Sequence, residues 1–357
     1  MPDGRLAVGV PASPFADHFH IDRRSEFLVF ESRDDGDSWQ ESDDPTIPYN
    51  WPGQNPRERY DRFADVMSDG SYLCAGSVGW QTWPAGRKEE AERLGVNTRP
   101  HQLDADTINV GGHKMFVQRS TDKGKTWTRR EWRIPGFGEF QVHQVPKGGR
   151  LADGTILISC YGNEVDAAGP SCSFVWRSTD DGKTFRLIPM GSHAAAGHTN
   201  ETTFLEVAPG RILALSRTDL GWRNVWSKHS GDLVQRWSDD KGLTWTYPLQ
   251  ADFWGYPAHL LMLSDGRVLC SYGHRREPMG VRAILSHDGG ETWDLDNIIV
   301  LRDDGGTPNE MRPDKTRGGG DLGYPVSTQL ADGSILTVYY ITETDGVTHA
   351  LSCRWEV

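Results

Sequence analysis

The sequence predicts an all-β protein, a six-bladed β-propeller of four-stranded antiparallel blades, with seven blades as the alternative. Three observations predict it. An eight-residue pattern, Ser-x-Asp-x-Gly-x-Thr-Trp, recurs in five near-copies, at 32–39, 120–127, 178–185, 238–245 and 286–293. A second pattern, Asp-Gly before an apolar run, interleaves with it at 69–73, 153–157, 265–269 and 332–336; Pro209-Gly210 is a variant and Asp3-Gly4 a further copy. From Ser120 to Ser178 is 58 residues, to Ser238 a further 60 and to Ser286 a further 48. Self-similarity at such periods marks a repeat architecture.

Each copy of the first pattern reads as a hairpin turn. Apolar residues precede it, as in Phe116-Val117 and Ala283-Ile284-Leu285. Ser and Asp side chains bond turn backbone, and Gly accepts positive φ. The closing Trp or Phe begins the return strand and packs between sheets. Asp-Gly between short apolar runs is itself a hairpin signal. Each unit therefore reads strand A, Asp-Gly turn, strand B, strand C, Ser/Asp turn, strand D. The step from Ser32 to Ser120 is 88 residues, one unit plus an insertion.

The repeats run end to end, so the chain reads as one domain, 1–357, with the insertion at about 83–105. Within it, Arg87 to Leu94 carries helix formers ahead of Gly95 and predicts a short surface helix. The low hydrophobic share, 36%, with 14 Trp, 40 Gly and 20 Pro, suits a turn-rich β protein. The net charge of −12 argues against a nucleic-acid partner and against an anionic membrane surface. The first residues lack the basic start and apolar run of a leader, and five cysteines without a CxxC pair read as reduced thiols, so a cytoplasmic location is expected. Cys74, Cys160 and Cys270, in the B strands, read as buried. Apart from His18-x-His20 no metal-ligand spacing occurs, and neither metal nor cofactor is expected.

Taken in order, the chain opens with a strand at Leu6–Val10 and a second at Phe27–Phe30, and its last strand, 349–357, is the natural partner for closing the ring. Residues 56–80 form an A–B hairpin with Tyr60, Arg62 and Asp65. The A strands of later blades begin near His143, at Gly197 to Glu201 and at Asp321 to Pro325, and a polar loop with Arg312 and Arg317 precedes the last.

The A strands line a propeller's channel. Glu201 lies eight residues before Pro209 and Tyr324 eight before Asp332 (209 − 201 = 332 − 324 = 8), so both occupy one register. A carboxylate beside a tyrosine can take the phenol's proton and make it a nucleophile. Arg62, Arg217, Arg275 and Arg276 fall at nearby levels, and converging arginines suit bidentate capture of a carboxylate.

The Ser-x-Asp-x-Gly-x-Thr-Trp repeats resemble the Asp boxes of the sialidase superfamily, the BNR-repeat proteins, over nearly the whole chain. Glu201 followed sixteen residues later by Arg217 resembles that family's glutamate and triad arginine. Gly323-Tyr324-Pro325, followed by Leu330 to Leu336, resembles the segment of its tyrosine nucleophile. The resemblance implies an exo-acting glycosidase releasing sialic acid or a similar carboxylated sugar. Tyr324 would attack the anomeric carbon with Glu201 as its partner, and Arg217 would bind the carboxylate; a tyrosine nucleophile is the known exception among glycosidases. The family's Arg-Ile-Pro motif is replaced by Tyr60-Asp61-Arg62-Phe63-Ala64, which leaves Arg62 on the matching strand face. The third arginine is one of Arg275, Arg276 and Arg282, with Arg276 preferred. The acid/base carboxylate is Asp106, ahead of Asp104, Asp61 and Asp65.

Two other readings compete. A polysaccharide lyase or uronate-active propeller would use His143, His198 or His274 with tyrosine for proton abstraction. A non-catalytic propeller would bind a glycan unchanged.

Overall fold

The computed structural model of the chain describes residues 1, 3–12, 26–54, 57–60, 62–79, 81–101, 104–112, 114–142, 149–164, 172–191, 199–218, 232–305, 322–343 and 347–357. The described residues form six antiparallel sheets in chain order and one small inserted sheet. The first sheet comprises Leu6–Ala12, Glu26–Ser32 and Gln40–Glu41. The second comprises Arg62–Val66, Tyr72–Val78, Lys114–Ser120 and Thr128–Arg133. The third has Phe137–Val142, Ile156–Glu164, Cys172–Ser178 and Arg186–Pro189. The fourth has Thr199–Ala208, Arg211–Thr218, Asp232–Ser238 and Leu249–Trp254. The fifth has Ala258–Met262, Val268–His274, Gly280–Ser286 and Ile299–Arg302, and the sixth Leu322–Gln329, Ile335–Thr342 and Thr348–Trp355. Each of the six is a meander in which each strand pairs with the next of its own set, so the fold is all-β and propeller-like.

The five Ser/Asp turns share one hydrogen-bond pattern. In each, the Ser hydroxyl donates to the Asp carboxylate at 2.7–2.8 Å and accepts the Gly amide at 2.7–3.0 Å. The Thr (Ser38 in the first copy) gives the same carboxylate its amide, at 2.8–2.9 Å, and its hydroxyl, at 2.5–2.6 Å. The Asp of Ser-x-Asp thus gathers three donors within one turn.

These donors hold the Asp34 and Asp122 carboxylates down at about 2: the Ser38 and Thr126 hydroxyls act most strongly, then the amides of the same residues. Such groups add stability above the ordinary carboxylate range and lose it as pH falls through the folded-state value. The thermal midpoint should therefore hold to about pH 4 and fall steeply from there to pH 2. Replacing Asp122 by Asn should lower the midpoint at pH 7 and shrink its acid-induced fall; an unchanged acid profile would count against the turns as its source.

In four of the five turns the glycine has a second role, since it receives a leucine of a neighbouring sheet. A Cβ on Gly182 would stand 2.2 Å from Leu73, one on Gly242 3.1 Å from Leu157 and one on Gly290 2.4 Å from Leu213. Gly36, in the first sheet, meets Leu336 of the sixth in the same way, and Arg354 lies 3.9 Å from Asp37. The contact that joins consecutive sheets thus also joins the last to the first. Gly182 also has φ +73. Gly182→Ala should destabilise by about 2–4 kcal/mol, from left-handed strain plus a forced shift of Leu73. Thermal unfolding reads it, with the open Gly154 as a control that pays only the strain.

The expected closure by strand pairing does not occur among the described residues: Thr348–Trp355 pairs only with Ile335–Thr342. Side chains close the ring instead. Between sheets the core is continuous. Leu73, Ile156 and Trp176 join the second and third sheets; Leu157, Val175, Phe204 and Ile212 the third and fourth; Leu213, Trp237, Val268 and Tyr272 the fourth and fifth. Cys74, Cys160 and Cys270 are buried thiols in this core. The segment between the first and second sheets lays Trp51 flat on Tyr72, with ring centroids 4.3 Å apart. The insertion leaves the end of Tyr72–Val78 and forms strands Gln81–Pro84, Thr98–Pro100 and Thr107–Val110 with a helix at Lys88–Arg93, held by its own core of Ala91, Val96, Ile108 and Val110.

Candidate active site

The two ends of the sheets differ. The Ser/Asp and Asp-Gly turns occupy one end, because Tyr72, which follows an Asp-Gly turn, pairs with Ser120, which opens a Ser/Asp turn. The other end, where A strands begin and B strands finish, carries Glu201, Tyr324, Arg217, Arg275 and Tyr340, and the insertion leaves from it.

At that end two A strands break register at equivalent places. Pairing skips between Asn200 and Thr203 in the fourth sheet and between Gly323 and Val326 in the sixth. Glu201 has φ +44 and Tyr324 φ +45. These are left-handed conformations that non-glycine residues rarely adopt, and such strain concentrates at functional sites. The two side chains meet: the Tyr324 hydroxyl donates to Glu201 Oε1. Glu201 Oε2 accepts from Arg217 Nη1 at 2.9 Å. Glu201 is 8% exposed, so this is a largely desolvated phenol–carboxylate–guanidinium chain.

A second arginine completes the group. Arg275 donates through Nε to the Leu322 carbonyl at 2.8 Å and through Nη2 to the Tyr340 hydroxyl at 3.2 Å. The Tyr340 ring stacks beside that of Tyr324, 5.9 Å away. Tyr256 lies under both guanidiniums, 4.2 Å from that of Arg217 and 5.1 Å from that of Arg275. Aromatic faces hold cations in place without using their N–H donors. Burial pushes the Tyr324 phenol well above its usual range, and the charge of Glu201 adds to this, while Arg217 and Arg275 oppose it. At neutral pH the phenol is protonated and points its hydrogen at a ready acceptor.

Three expected site residues are placed elsewhere. Arg62 is 4% exposed, and its guanidinium donates to the carbonyls of Pro48, Trp51 and Pro52, at 2.8–3.0 Å. It is an internal tie for that segment, because a buried guanidinium must find acceptors and the turn there supplies three. Arg276 is exposed and lies over Trp254 at 3.9 Å; the arginine that acts on Tyr324 beside Arg217 is Arg275. The strand ends at His274, which turns Arg275 inward and its successor outward. Asp106 is exposed in the insertion, where its amide bonds Asp104 at 2.9 Å and its carbonyl accepts from Ala85. Both bonds are made by its backbone and lie within the insertion. Asp65 pairs with Arg150 at 3.4 Å, toward the opposite end. His274 packs edge-on to Trp254 with Nδ1 3.1 Å from the Pro278 carbonyl, and Arg282 is half-buried nearby. Asp61, His18, His20, His143, His198, Arg312 and Arg317 lie outside the described residues.

Sequence reasoning missed Tyr256 and Tyr340. Tyr256 lies nine residues before Asp265, one off the register that Glu201 and Tyr324 share, and Tyr340 comes from a B strand.

Residues 93–337 match the BNR repeat-like domain family. No curated protein matches. Among solved structures, a protein of unknown function from Dyadobacter fermentans is 24% identical, with a TM-score of 0.71 over 99% of this chain and 92% of that one. NanB, solved with Optactamide, is 12% identical, with a TM-score of 0.55 over 100% of this chain and 67% of that one. The sialidase of Trypanosoma rangeli, solved as a covalent intermediate with 2,3-difluorosialic acid, is 14% identical, with a TM-score of 0.52 over 99% of this chain. This chain spans about half of that sialidase, 52%. These likenesses are of fold. The chain belongs to the BNR repeat-like domain family.

Proposed function

We propose that this chain is an exo-acting glycoside hydrolase of the sialidase type, a single six-bladed propeller whose turns are Asp boxes, acting on a terminal sugar that carries a carboxylate. One observation carries the reading: the Tyr324 phenol donates to Glu201, and Glu201 is tied in turn to Arg217. Tyr324 is the nucleophile. Because burial disfavours a free phenolate, Glu201 takes the proton as the bond to the anomeric carbon forms. Arg217 and Arg275, oriented by Tyr256 and Tyr340, bind the substrate carboxylate. A second carboxylic acid protonates the leaving oxygen, and water, activated by its conjugate base, then cleaves the glycosyl-tyrosine. Asp61 is the candidate that register favours over Asp106, since it too lies eight residues before an Asp-Gly turn (69 − 61 = 8). Loss of turnover in Asp61→Asn with retention in Asp106→Asn would support that order.

A specific observation favours a second reading, a lyase. Burial, and then the charge of Arg282, pull the His274 imidazole below its ordinary range, which keeps it neutral as a base requires. One experiment separates the two. Purified protein is given an aryl α-sialoside, a panel of aryl uronosides and acidic polysaccharides. Fluorophore release from a carboxylated glycoside is the expected result. Absorbance growing near roughly 235 nm on a polysaccharide, the mark of base abstraction and elimination, would replace hydrolysis by the lyase. Binding without turnover of any substrate would leave a glycan-binding propeller.

A further inference from the structure

The gap between the third and fourth sheets contains a feature that the site does not use. Arg236 is 1% exposed, in strand Asp232–Ser238, and its Nε, Nη1 and Nη2 have no hydrogen-bond partner. Burying a guanidinium without an acceptor is among the costliest arrangements a protein can hold. Burial pulls Arg236 down only to about 10, so it remains a cation at neutral pH.

Strand register locates it. Phe204, Ala214 and Arg236 are cross-strand partners and share one face of the fourth sheet. Phe204 and Ala214 pack toward the third sheet, with Val175 and Ile188. On the third sheet Ser159, Val175 and Ile188 likewise form one row. Contacts on both sides align the two rows. On one side Leu157 meets Gly242 and Arg177 bonds the Lys241 carbonyl at 2.8 Å; on the other, Thr202 bonds Ser173 at 3.1 Å. Ser159 therefore lies in the layer of Arg236. Its Oγ is also buried without a partner, as is Nε1 of Trp245, whose ring is 5.6 Å from Phe204. One layer thus gathers five unpartnered polar atoms, every one able to donate. The other side chains of the layer, Phe204, Ala214, Val175 and Ile188, are apolar, and among the described residues no carboxylate acts on Arg236.

We propose that this layer is a binding site for a small monovalent anion of the halide class, chloride, held by the Arg236 guanidinium with the Trp245 indole N–H and the Ser159 hydroxyl. A halide supplies what the donors need, an acceptor in several directions and a compensating charge, and it fits where a carboxylate side chain is absent. A water has two lone pairs and no charge, so it answers only part of the demand. The anion would tie the third sheet to the fourth, which carries Glu201 and Arg217. The inference does not rest on the proposed activity.

The test reads thermal unfolding against sodium chloride, with sodium gluconate holding ionic strength constant. The expected result is a saturable rise in midpoint with chloride and with bromide. It should be absent in Arg236→Met, which keeps the length of the side chain and removes the charge. Because that variant also changes a buried core position, diffraction from wild-type crystals soaked in bromide decides independently. An anomalous peak against Arg236, at bromide levels that saturate the thermal shift, establishes the site. A peak only at molar bromide with no thermal shift, or a thermal shift with no peak in this layer, overturns it.

Discussion

Tyr324→Phe should abolish turnover of the carboxylated glycoside, by at least about 10³-fold in kcat, since a nucleophile acts as one unit with its base and loses nearly everything when removed. KM should change little, because Arg217 and Arg275 remain. The substitution deletes one oxygen and one hydrogen bond to a largely buried carboxylate, so about 1–3 kcal/mol of stability is also at stake, and the midpoint should fall by a few degrees at neutral pH. The two effects separate. A packed channel tyrosine would show the thermal loss with turnover intact, and that outcome would remove Tyr324 from the chemistry. Glu201→Gln gives a complementary result. The amide still accepts the phenol's hydrogen bond but cannot take its proton, so turnover should fall by about 10²–10⁴-fold, with the loss least severe at alkaline pH. Arg275→Ala should mainly raise KM for the carboxylated substrate relative to its methyl ester, whereas Arg276→Ala, out on Trp254, should leave both near wild type.

Much of this was legible in the sequence because repeats report on geometry. The turn residues, the interleaved hairpins and the shared eight-residue register of Glu201 and Tyr324 are local signals, and the structure brings that pair together. What was not legible depends on departures from regularity. A strand bulge shifts a side chain's direction without a reliable local mark, so the left-handed Glu201 and Tyr324 could not be foreseen, and neither could Tyr256, one residue off register. Period-two reasoning placed Arg62 on a channel-facing side. It could not see that the carbonyls of Pro48, Trp51 and Pro52 would capture the guanidinium. The choice of Arg276 over Arg275 turned on where a strand ends, and boundaries are where sequence signals are weakest. Ring closure is a similar case: the pairing expected from the two termini is replaced by a glycine socket, Gly36 against Leu336, which has the form of the Gly182, Gly242 and Gly290 contacts between neighbouring sheets but no sequence signature of its own.

Glu58→Ala should be among the most destabilising single substitutions in the chain, at about 3–5 kcal/mol, because it strips one member from a buried ion pair. Glu58 is fully buried on the short turn Arg57–Tyr60 and meets Arg129 through both oxygens, at 3.0 and 3.1 Å, while accepting the Gln54 amide at 2.9 Å. Arg129 is itself set over the Phe116 ring at 4.0 Å and reaches Gln118, whose amide nitrogen bonds the Pro52 carbonyl. Pro52 is also an acceptor for Arg62. Arg62, Glu58 and Arg129 are thus one network that fastens residues 48–60 to the second sheet, and Glu58 is the fully buried anion that offsets its guanidinium charge. Thermal unfolding of Glu58→Ala, Arg129→Met and the double variant forms a cycle in which the double variant should lie well above the sum of the single losses, since an apolar pair leaves less unpaired charge behind. The same cycle, assayed for turnover below the midpoint of each variant, decides the role of Arg62. If it is an internal tie, KM stays constant while stability falls, and Arg62→Met follows that pattern. A selective rise in KM in Arg62→Met, in protein still folded at the assay temperature, would return Arg62 to the substrate.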